Sequence, residues 1–313
     1  MPPHQPLKRV RMMLSLGLFA LAAFLADAAI ALSPIGHTIG GAPLFLAPSG
    51  SFARQSGRNM NIFARNGSIL HVFENVIPAS LTAKRDSAPA RRQVLNVNEA
   101  FVKFDPDIIV DSLNASFTVP APPESFESQI IYFAQGVQAL DPDTGIAFGM
   151  HRVALQYGGS FVQGGSFWTI CTQLEFLDEA GQPAGVLQII PNESPIVQPG
   201  DRLATSIQFD DAFVEDGIFF YNAQWLGRPD FSFEAGWEFP PRVAGFKLEE
   251  EGVEVASDYP KEFMFENILL NLTTGIPDVH WQTTVDPASG IEWKVEKNGA
   301  RNAEIAVVFP YSL

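Results

Sequence analysis

Two stretches of the chain decide the fold: Val153-Ala-Leu-Gln-Tyr157 and Phe167-Trp-Thr-Ile-Cys-Thr-Gln-Leu-Glu-Phe176. Both are rich in apolar, β-branched and aromatic residues, and a glycine pair, Gly164-Gly165, separates them. Short runs of this kind, bounded by glycine, proline, asparagine or aspartate, are typical of antiparallel strands. Similar runs occur at 115–119, 129–133, 202–209, 217–225, 262–270 and 303–309. The sequence therefore predicts an all-β fold, a two-sheet antiparallel β-sandwich.

Turn-forming residues lie between these predicted strands. Pro199-Gly200-Asp201 is expected to end one strand and begin the next, and residues 141–145 are expected to form a loop. Pro240-Pro241 excludes a central strand at that point, because proline has no backbone N–H to donate. One further short strand is possible at 68–76.

Charge divides the chain into two parts. Residues 1–92 hold 10 Lys+Arg and 3 Asp+Glu, whereas the rest holds 10 and 32. Two dibasic pairs that end in Arg85 and Arg92 lie where the parts meet, and they indicate processing sites. We therefore expect a mostly irregular basic pro-segment at 32–92, released when carboxylates protonate, and a β-sandwich domain at 93–313. The alternative is a basic tail that only adds solubility.

The N-terminus has the pattern of a secretory signal peptide over residues 1–31. Lys8, Arg9 and Arg11 precede an uncharged apolar run at 12–26, and small residues follow it. The alternative is a signal anchor, since apolar residues resume after Asp27 and extend the run toward the length that a bilayer requires. The prediction is a secreted, extracellular protein that has no membrane segment once the signal peptide is cleaved.

Other features agree with secretion or exclude whole classes of function. Four N-x-S/T sequons predict glycosylation, at Asn66, Asn114, Asn192 and Asn271. The one cysteine, Cys171, is predicted to be a buried and inert thiol. The acidic body repels phosphate, so no nucleic-acid partner is expected.

No cofactor and no metal are predicted, because His151 and His280 are too far apart in sequence to suggest a zinc site. The alternative of a calcium site draws on aspartates in loops, without the spacing of a known calcium motif. These aspartates are Asp141, Asp143, Asp210, Asp211 and Asp216.

Several segments resemble, in order, those of the glutamic peptidases (eqolisins) and of related secreted fungal β-sandwich proteins. The resemblance begins at Asn114-Ala-Ser-Phe-Thr-Val-Pro120 and covers about 110–285. It includes Val153-Ala-Leu-Gln-Tyr-Gly158, Gly164-Gly-Ser-Phe-Trp168 and Ser257-Asp-Tyr-Pro260. It implies a jelly-roll sandwich similar to concanavalin A, and a Gln and a Glu on neighbouring strands that hydrolyse peptides in acid.

By this resemblance the catalytic pair would be Gln156, from an "LQxG" strand, and Glu249. Glu250 and Glu251 adjoin the second of these residues, and a shift of one residue along a strand reverses the side that a residue faces. Alternation also places Gln156 on the face of its strand that carries Arg152 and Ala154, opposite Leu155. The family's Trp-rich segment differs here, since residues 132–138 lack both its Trp and its acid.

The residue types suit acid hydrolysis. A carboxylate beside one water can take its proton and return it to the leaving amine. A neutral amide can donate to the oxygen of the tetrahedral intermediate at any pH. Trp168 and Tyr157 are candidates to line a peptide or sugar groove, or else belong to the sandwich core.

The predicted function is therefore a monomeric acid endopeptidase acting on peptide or protein substrates. A non-catalytic sandwich that binds extracellular glycans is the alternative. A glycan hydrolase or lyase is a third possibility, and it would need a second acid near the first.

Overall fold

Strands make up almost all of the regular secondary structure in the described residues. The computed structural model describes residues 31–38, 41–77, 98–140, 147–159, 165–177, 183–285 and 287–310. In the N-terminal part the strands are β1 (Gly36–His37), β2 (Pro43–Pro48), β3 (Phe52–Ser56), β4 (Asn59–Phe63) and β5 (Ile69–Phe73). The next strands are β6 (Asn98–Lys103), β7 (Val110–Thr118), β8 (Ile130–Leu140), β9 (Ala147–Gly158), β10 (Trp168–Leu177), β11 (Pro183–Ile190) and β12 (Ile196–Val197). The last are β13 (Arg202–Asp210), β14 (Phe219–Trp225), β15 (Arg228–Trp237), β16 (Val243–Glu251), β17 (Phe263–Leu272), β18 (Gln282–Thr284), β19 (Glu292–Lys297) and β20 (Arg301–Val308).

These strands form two ten-stranded sheets that pack face to face. Sheet 1 has the order β1-β2-β11-β10-β9-β8-β16-β6-β18, with β12 beside β10. Sheet 2 has the order β19-β20-β17-β7-β13-β14-β15-β3-β4-β5. The predicted sandwich is confirmed, and each of the eight predicted runs overlaps an observed strand. In the part of the chain that the structure describes, no helix is long and apolar enough to cross a membrane.

The pairing is mostly but not purely antiparallel. β2 runs parallel to β11 in sheet 1, and β3 runs parallel to β15 in sheet 2. Both parallel pairs are made by the N-terminal part of the chain. These two pairs are exceptions to the antiparallel pairing of the predicted sandwich, because alternation along a strand does not specify its partner's direction.

The N-terminal part also corrects the expectation of an irregular segment at 32–92. Residues 31–77 carry five strands that extend both sheets. The glycine, serine and arginine residues of this region indicated irregular structure, but β2 pairs with β11 and β3 pairs with β15. The dibasic pairs and the sequence before Ala31 lie outside the described residues, so processing at Arg85 and Arg92 and the signal peptide stay predictions.

The interior between the sheets is apolar and crossed by a few hydrogen bonds. Trp168, Trp237 and Phe133 are among its largest fully buried side chains. Gln135 of sheet 1 donates through Nε2 to the Leu113 carbonyl (2.7 Å), and its Oε1 lies 2.6 Å from Thr205 Oγ1 of sheet 2. A buried polar group costs free energy unless it is paired, so these bonds favour one alignment of the two sheets.

Candidate functional site

The register of three central strands places Gln156 and Glu249 on one face of sheet 1. In β9 and β8, Gln156 lies opposite Tyr132, and in β8 and β16 Tyr132 lies opposite Glu249. Directly paired residues point to the same side of a sheet. Their neighbours Leu155, Phe133 and Leu248 belong to the core between the sheets. Gln156, Tyr132 and Glu249 therefore form one row on the outer face, the side of sheet 1 that faces away from sheet 2.

This register also separates Glu249 from its acidic neighbours. Glu250 has the opposite orientation and hydrogen-bonds with Tyr259. Glu251 lies on the outer face again, at the last residue of β16. Of the three consecutive glutamates, Glu249 is thus the one beside Tyr132 in the row of Gln156.

Two cations hold Glu249 by the same carboxylate oxygen. Oε1 lies 2.6 Å from Arg152 Nη1 and 2.5 Å from Lys247 Nζ. Arg152 Nη1 is also 3.4 Å from Glu175 Oε2. We call these four residues, Arg152, Glu175, Lys247 and Glu249, the ion cluster. The cluster brings two positive and two negative groups together, so its formal charge is zero.

The electrostatics of the cluster keep Arg152, Lys247 and Glu249 ionised. Burial alone would raise the pKa of Glu249, but the attraction of Arg152 and Lys247 outweighs burial and lowers this pKa well below its usual range. Burial opposes the charge of Arg152 and Lys247 in the same way, and the two glutamates reverse that effect and raise both pKa values. Glu249 therefore stays a carboxylate in acid that protonates ordinary glutamates.

Arg152 is fixed by more than its ion pairs. The residue is only 3% exposed, and its Nε donates to Gln173 Oε1 at 3.0 Å. Its guanidinium lies 5.8 Å from the centre of the Tyr132 ring, and Gln173 in turn donates to Gln188 Oε1 at 3.0 Å. The polar network thus continues from β16 across β9 and β10 to β11.

Small residues of β8 make room for the Arg152 side chain. Arg152 belongs to β9 but reaches Glu249 in β16, so it must cross the intervening strand. Opposite Arg152 in β8 is Gly136, and a Cβ there would lie 2.3 Å from the Met150 methyl and 3.2 Å from Arg152 Cβ. Ala134, two residues along, is fully buried beside Ala154 and Cys171.

Gln156 is tightly enclosed. It is 1% exposed, and its Nε2 donates to the Gly158 carbonyl of its own strand at 3.2 Å. Gly158 has a φ of +86°, and a Cβ there would lie 1.8 Å from the Gln129 carbonyl oxygen. Glycine is required at this end of the "LQxG" stretch, and it places the acceptor that Gln156 uses.

Trp168 and Tyr157 do not line a groove. Both are 1% exposed members of the core between the sheets, with ring centres 5.0 Å apart. Their assignment to substrate binding is corrected, because alternation turns them to the side opposite Gln156. The core position that the sequence left open for them is the observed one.

Cys171 lies on the outer face and is closed off there. It is 2% exposed, and its Sγ is 3.5 Å from the Ala154 carbonyl. Burial is the main cause that raises the pKa of its thiol to about 12. The prediction of a buried thiol is confirmed, and the low reactivity expected of it stays a prediction.

The four predicted glycosylation sites differ in exposure. Asn66, at the turn between β4 and β5, and Asn192, after β11, are exposed. Asn114 is half-buried within β7, and Asn271 in β17 donates through Nδ2 to Ser112 Oγ at 2.9 Å. Glycosylation stays a prediction, and Asn66 and Asn192 are the sites with the easiest access.

Three of the five aspartates named for the calcium alternative lie in the described residues. Asp210, Asp211 and Asp216 lie at or beside a 3₁₀ segment, Asp211–Asp216, while Asp141 and Asp143 are outside the described residues. Within the described ranges, no group of three or more His, Cys, Asp or Glu side chains could hold a metal ion.

Sequence reasoning did not predict the partners of Glu249. The available signal was a charged residue between buried neighbours on a central strand. Lys247 and Glu175 each lie between two buried apolar residues, and Arg152 lies between buried His151 and Val153. A charged side chain in the middle of a covered strand needs an opposite charge nearby. Which strand supplies it depends on the register, which one sequence does not give.

Comparisons with known proteins give a weak likeness in structure. No family model and no curated protein matches the chain. A crystal structure of scytalido-glutamic peptidase with a peptide-based transition state analogue is similar, at 14% identity and a TM-score of 0.40. A second structure of that peptidase, with a transition state analogue inhibitor, gives 12% identity and a TM-score of 0.43. In each case the match covers 69% of this chain and 98% of the other. Likenesses at this level carry no argument about activity.

Proposed function

We propose that the protein is an acid endopeptidase that uses Glu249 as general base and then general acid, with Gln156 as the donor to the oxyanion. The observation that carries the proposal is the shared row of Gln156, Tyr132 and Glu249 on the outer face of sheet 1. An amide and a carboxylate on the same face can act on one substrate. Had they faced opposite sides of the sheet, this chemistry would be impossible.

The charge state of Glu249 supports work in acid. A general base must be ionised at the working pH, and the lowered pKa of Glu249 keeps it so where ordinary glutamates are protonated. Arg152 and Lys247 both contact Oε1, so Oε2 is the oxygen that would accept the proton of the attacking water. The lowered pKa also makes Glu249 a weaker base, which suits a strongly acidic optimum better than a neutral one.

The distance between Gln156 and Glu249 determines where the scissile bond of a substrate would bind. Gln156 and Glu249 belong to strands two apart, which separates their backbones by roughly 10 Å. The scissile carbonyl would lie above the Tyr132 ring, between the two side chains. Gln156 would exchange its bond to the Gly158 carbonyl for one to the substrate oxygen.

The test is hydrolysis of an unfolded protein between about pH 2 and 4. We expect cleavage by the wild-type protein, and a loss of about 10²-fold or more in rate for Gln156→Ala and for Glu249→Gln. Glu251→Gln is the matched control, since Glu251 is on the same strand and face but outside the ion cluster. Equal rates for the three variants would contradict the proposal.

A second candidate is a non-catalytic sandwich that binds peptides or glycans on the same face. The enclosed Gln156, with its bond to Gly158, and the doubly paired Glu249 favour it, since both groups already have partners. This candidate predicts no hydrolysis at any pH. It also predicts retention of the protein on a glycan or peptide matrix that Lys247→Ala weakens, because the Lys247 side chain is 21% exposed.

A further inference from the structure

Residues 31–77 form a unit, the N-terminal unit, that joins both layers of the sandwich. In sheet 1, β2 pairs with β11 over five residues, from Leu44 with Val186 to Pro48 with Ile190. In sheet 2, β3 pairs with β15 over three residues, from Phe52 with Glu234 to Arg54 with Gly236. The chain passes from one sheet to the other between β2 and β3. The unit therefore closes one edge of the sandwich across both layers.

The N-terminal unit shares its core with the rest of the sandwich, β6 to β20, which we call the body. The Phe73 ring lies 4.5 Å from the ring of Phe176 in β10 and 5.0 Å from Phe45 of the unit itself. The body leaves space for Phe73 at Gly185, where a Cβ would be 2.7 Å from the ring. The unit contributes nine buried residues to this core, Phe45, Ala47, Ala53, Met60, Ile62, Leu70, Phe73, Val76 and Ile77. Removing them would expose the facing part of the body's core to water.

Polar contacts at the sheet 2 edge add to the attachment. Glu238, directly after β15, donates its N–H to Gln55 Oε1 at 3.0 Å, and its Oε1 accepts the N–H of Gly57 at 2.8 Å. Gln55 is 1% exposed. Most of the attachment, however, is backbone pairing and apolar packing, and neither weakens when carboxylates protonate.

The position of the unit is lateral to the candidate site. Leu46 of β2 lies in one row with Gln188 of β11, and this row continues through Gln173 to Arg152. The unit thus lengthens the face that holds the ion cluster. A pro-segment that blocks the site would instead lie on top of that face.

We propose that the outer edges of β11 and β15 form a docking surface whose permanent occupant is the N-terminal unit. A cut in the connection, residues 78–97, then gives two pieces that remain one particle, at neutral pH and in acid. This replaces the expectation of a pro-segment released by acid. It is independent of the proposed catalytic activity, because it concerns only how the pieces hold together.

The experiment uses the full chain with a recognition sequence for a site-specific protease placed within 78–97. The folded protein is cut and then separated by size-exclusion chromatography at pH 7 and at about pH 3. We expect both pieces in one peak at both pH values, and separate pieces only in denaturant. A separate peak of the N-terminal unit at either pH, without denaturant, would overturn the proposal.

Two variants measure the strength of the docking. In the cut particle, Phe73→Ala should raise the dissociation constant of the two pieces by about 100-fold or more, because it removes a buried aromatic ring. Ile69→Ala, in the same strand but 54% exposed, should change this dissociation constant by about twofold or less. If Phe73→Ala does not fold, Leu70→Val gives the same comparison, with an expected increase of about tenfold. Equal dissociation constants for the core and surface variants would refute a docked core.

Discussion

His151 and Arg152 are adjacent in β9 and face opposite sides of sheet 1, and both are almost completely buried. At neutral pH, however, Arg152 is charged and His151 is neutral. Arg152 has two glutamates and a glutamine around it and remains charged. His151 packs in the core at 5.5 Å from the Phe233 ring, and burial lowers its pKa to about 3. The comparison teaches that burial alone does not neutralise a group. Partners placed by the neighbouring strands decide the outcome.

The largest effect should come from breaking the ion cluster. Arg152→Met leaves Glu175 and Glu249 close together with Lys247 as their remaining cation, and we expect a loss of about 3–5 kcal/mol in the free energy of unfolding. Urea unfolding at neutral pH measures it. Arg202→Met is the control, because the Arg202 side chain is 64% exposed and its pair with Glu266 should contribute less than about 1 kcal/mol.

A double variant sharpens this prediction. Arg152→Met combined with Glu249→Leu removes the charge pair together, and most of the lost stability should return. If the double variant were as unstable as the sum of the single ones, the two side chains would not be coupled.

The next effect is a pH dependence that arises on the opposite face of β9. The pKa of His151 is about 3 in the folded protein, whereas an ordinary histidine has a pKa of 6.5, so the unfolded chain takes up its proton first as the pH falls. The contribution of His151 to the free energy of unfolding is fully present above about pH 6.5 and is lost as the pH falls toward 3. At pH 4 the free energy of unfolding should be lower by about 3 kcal/mol because of this group. Subtracting the pH profile of His151→Leu from that of the wild type should give this loss. Parallel profiles would show that His151 has no part in it.

A smaller effect concerns the charge state of Glu249. Replacing Arg152 by Gln removes one of the two cations on Oε1, so the pKa of Glu249 should rise toward its ordinary value. The carboxyl carbon of Glu249, followed by NMR through an acid titration, reports this pKa without any assay of activity. An unchanged pKa would mean that Lys247 alone keeps Glu249 ionised. If the proposed peptidase activity exists, its acid limb should move by the same amount.

The smallest effect comes from the hydrogen bonds inside the sandwich. Thr205→Val leaves Gln135 Oε1 without its partner in sheet 2 and should cost about 1–2 kcal/mol. Thr118→Val, at an exposed position of β7, should change stability by less than about 0.5 kcal/mol. Thermal unfolding of both variants makes the comparison. Equal effects would show that the bond between the layers adds nothing to stability.

Local patterns gave the fold but only part of the candidate site. The runs at 153–157 and 167–176 were predicted from alternation, and they became β9 and β10, the centre of sheet 1. Alternation also placed Gln156 beside Arg152 and away from Leu155, as observed. The same rule would have predicted that Trp168 and Tyr157 face the core, but their residue type does not distinguish a core position from a groove, because aromatic side chains occur in both.

The N-terminal unit shows where local patterns fail. Its strands β1 to β5 are short and interrupted by glycines, so they have little stability by themselves. They are stabilised by β11, β15 and the ring of Phe176, all of which follow more than a hundred residues later. Local sequence patterns do not predict stabilising contacts with residues so distant in the chain.

The sequence alone determined that this protein is a two-layered β structure, because the period of two in its apolar residues is a local property that each strand expresses by itself. Tertiary structure decided the rest: that Glu249 and not Glu250 faces Gln156, that Arg152 and Lys247 hold it, and that residues 31–77 belong to the sandwich. These facts depend on register and on strand partners. Both are set by packing between residues distant in the chain, where one step along a strand exchanges the two faces.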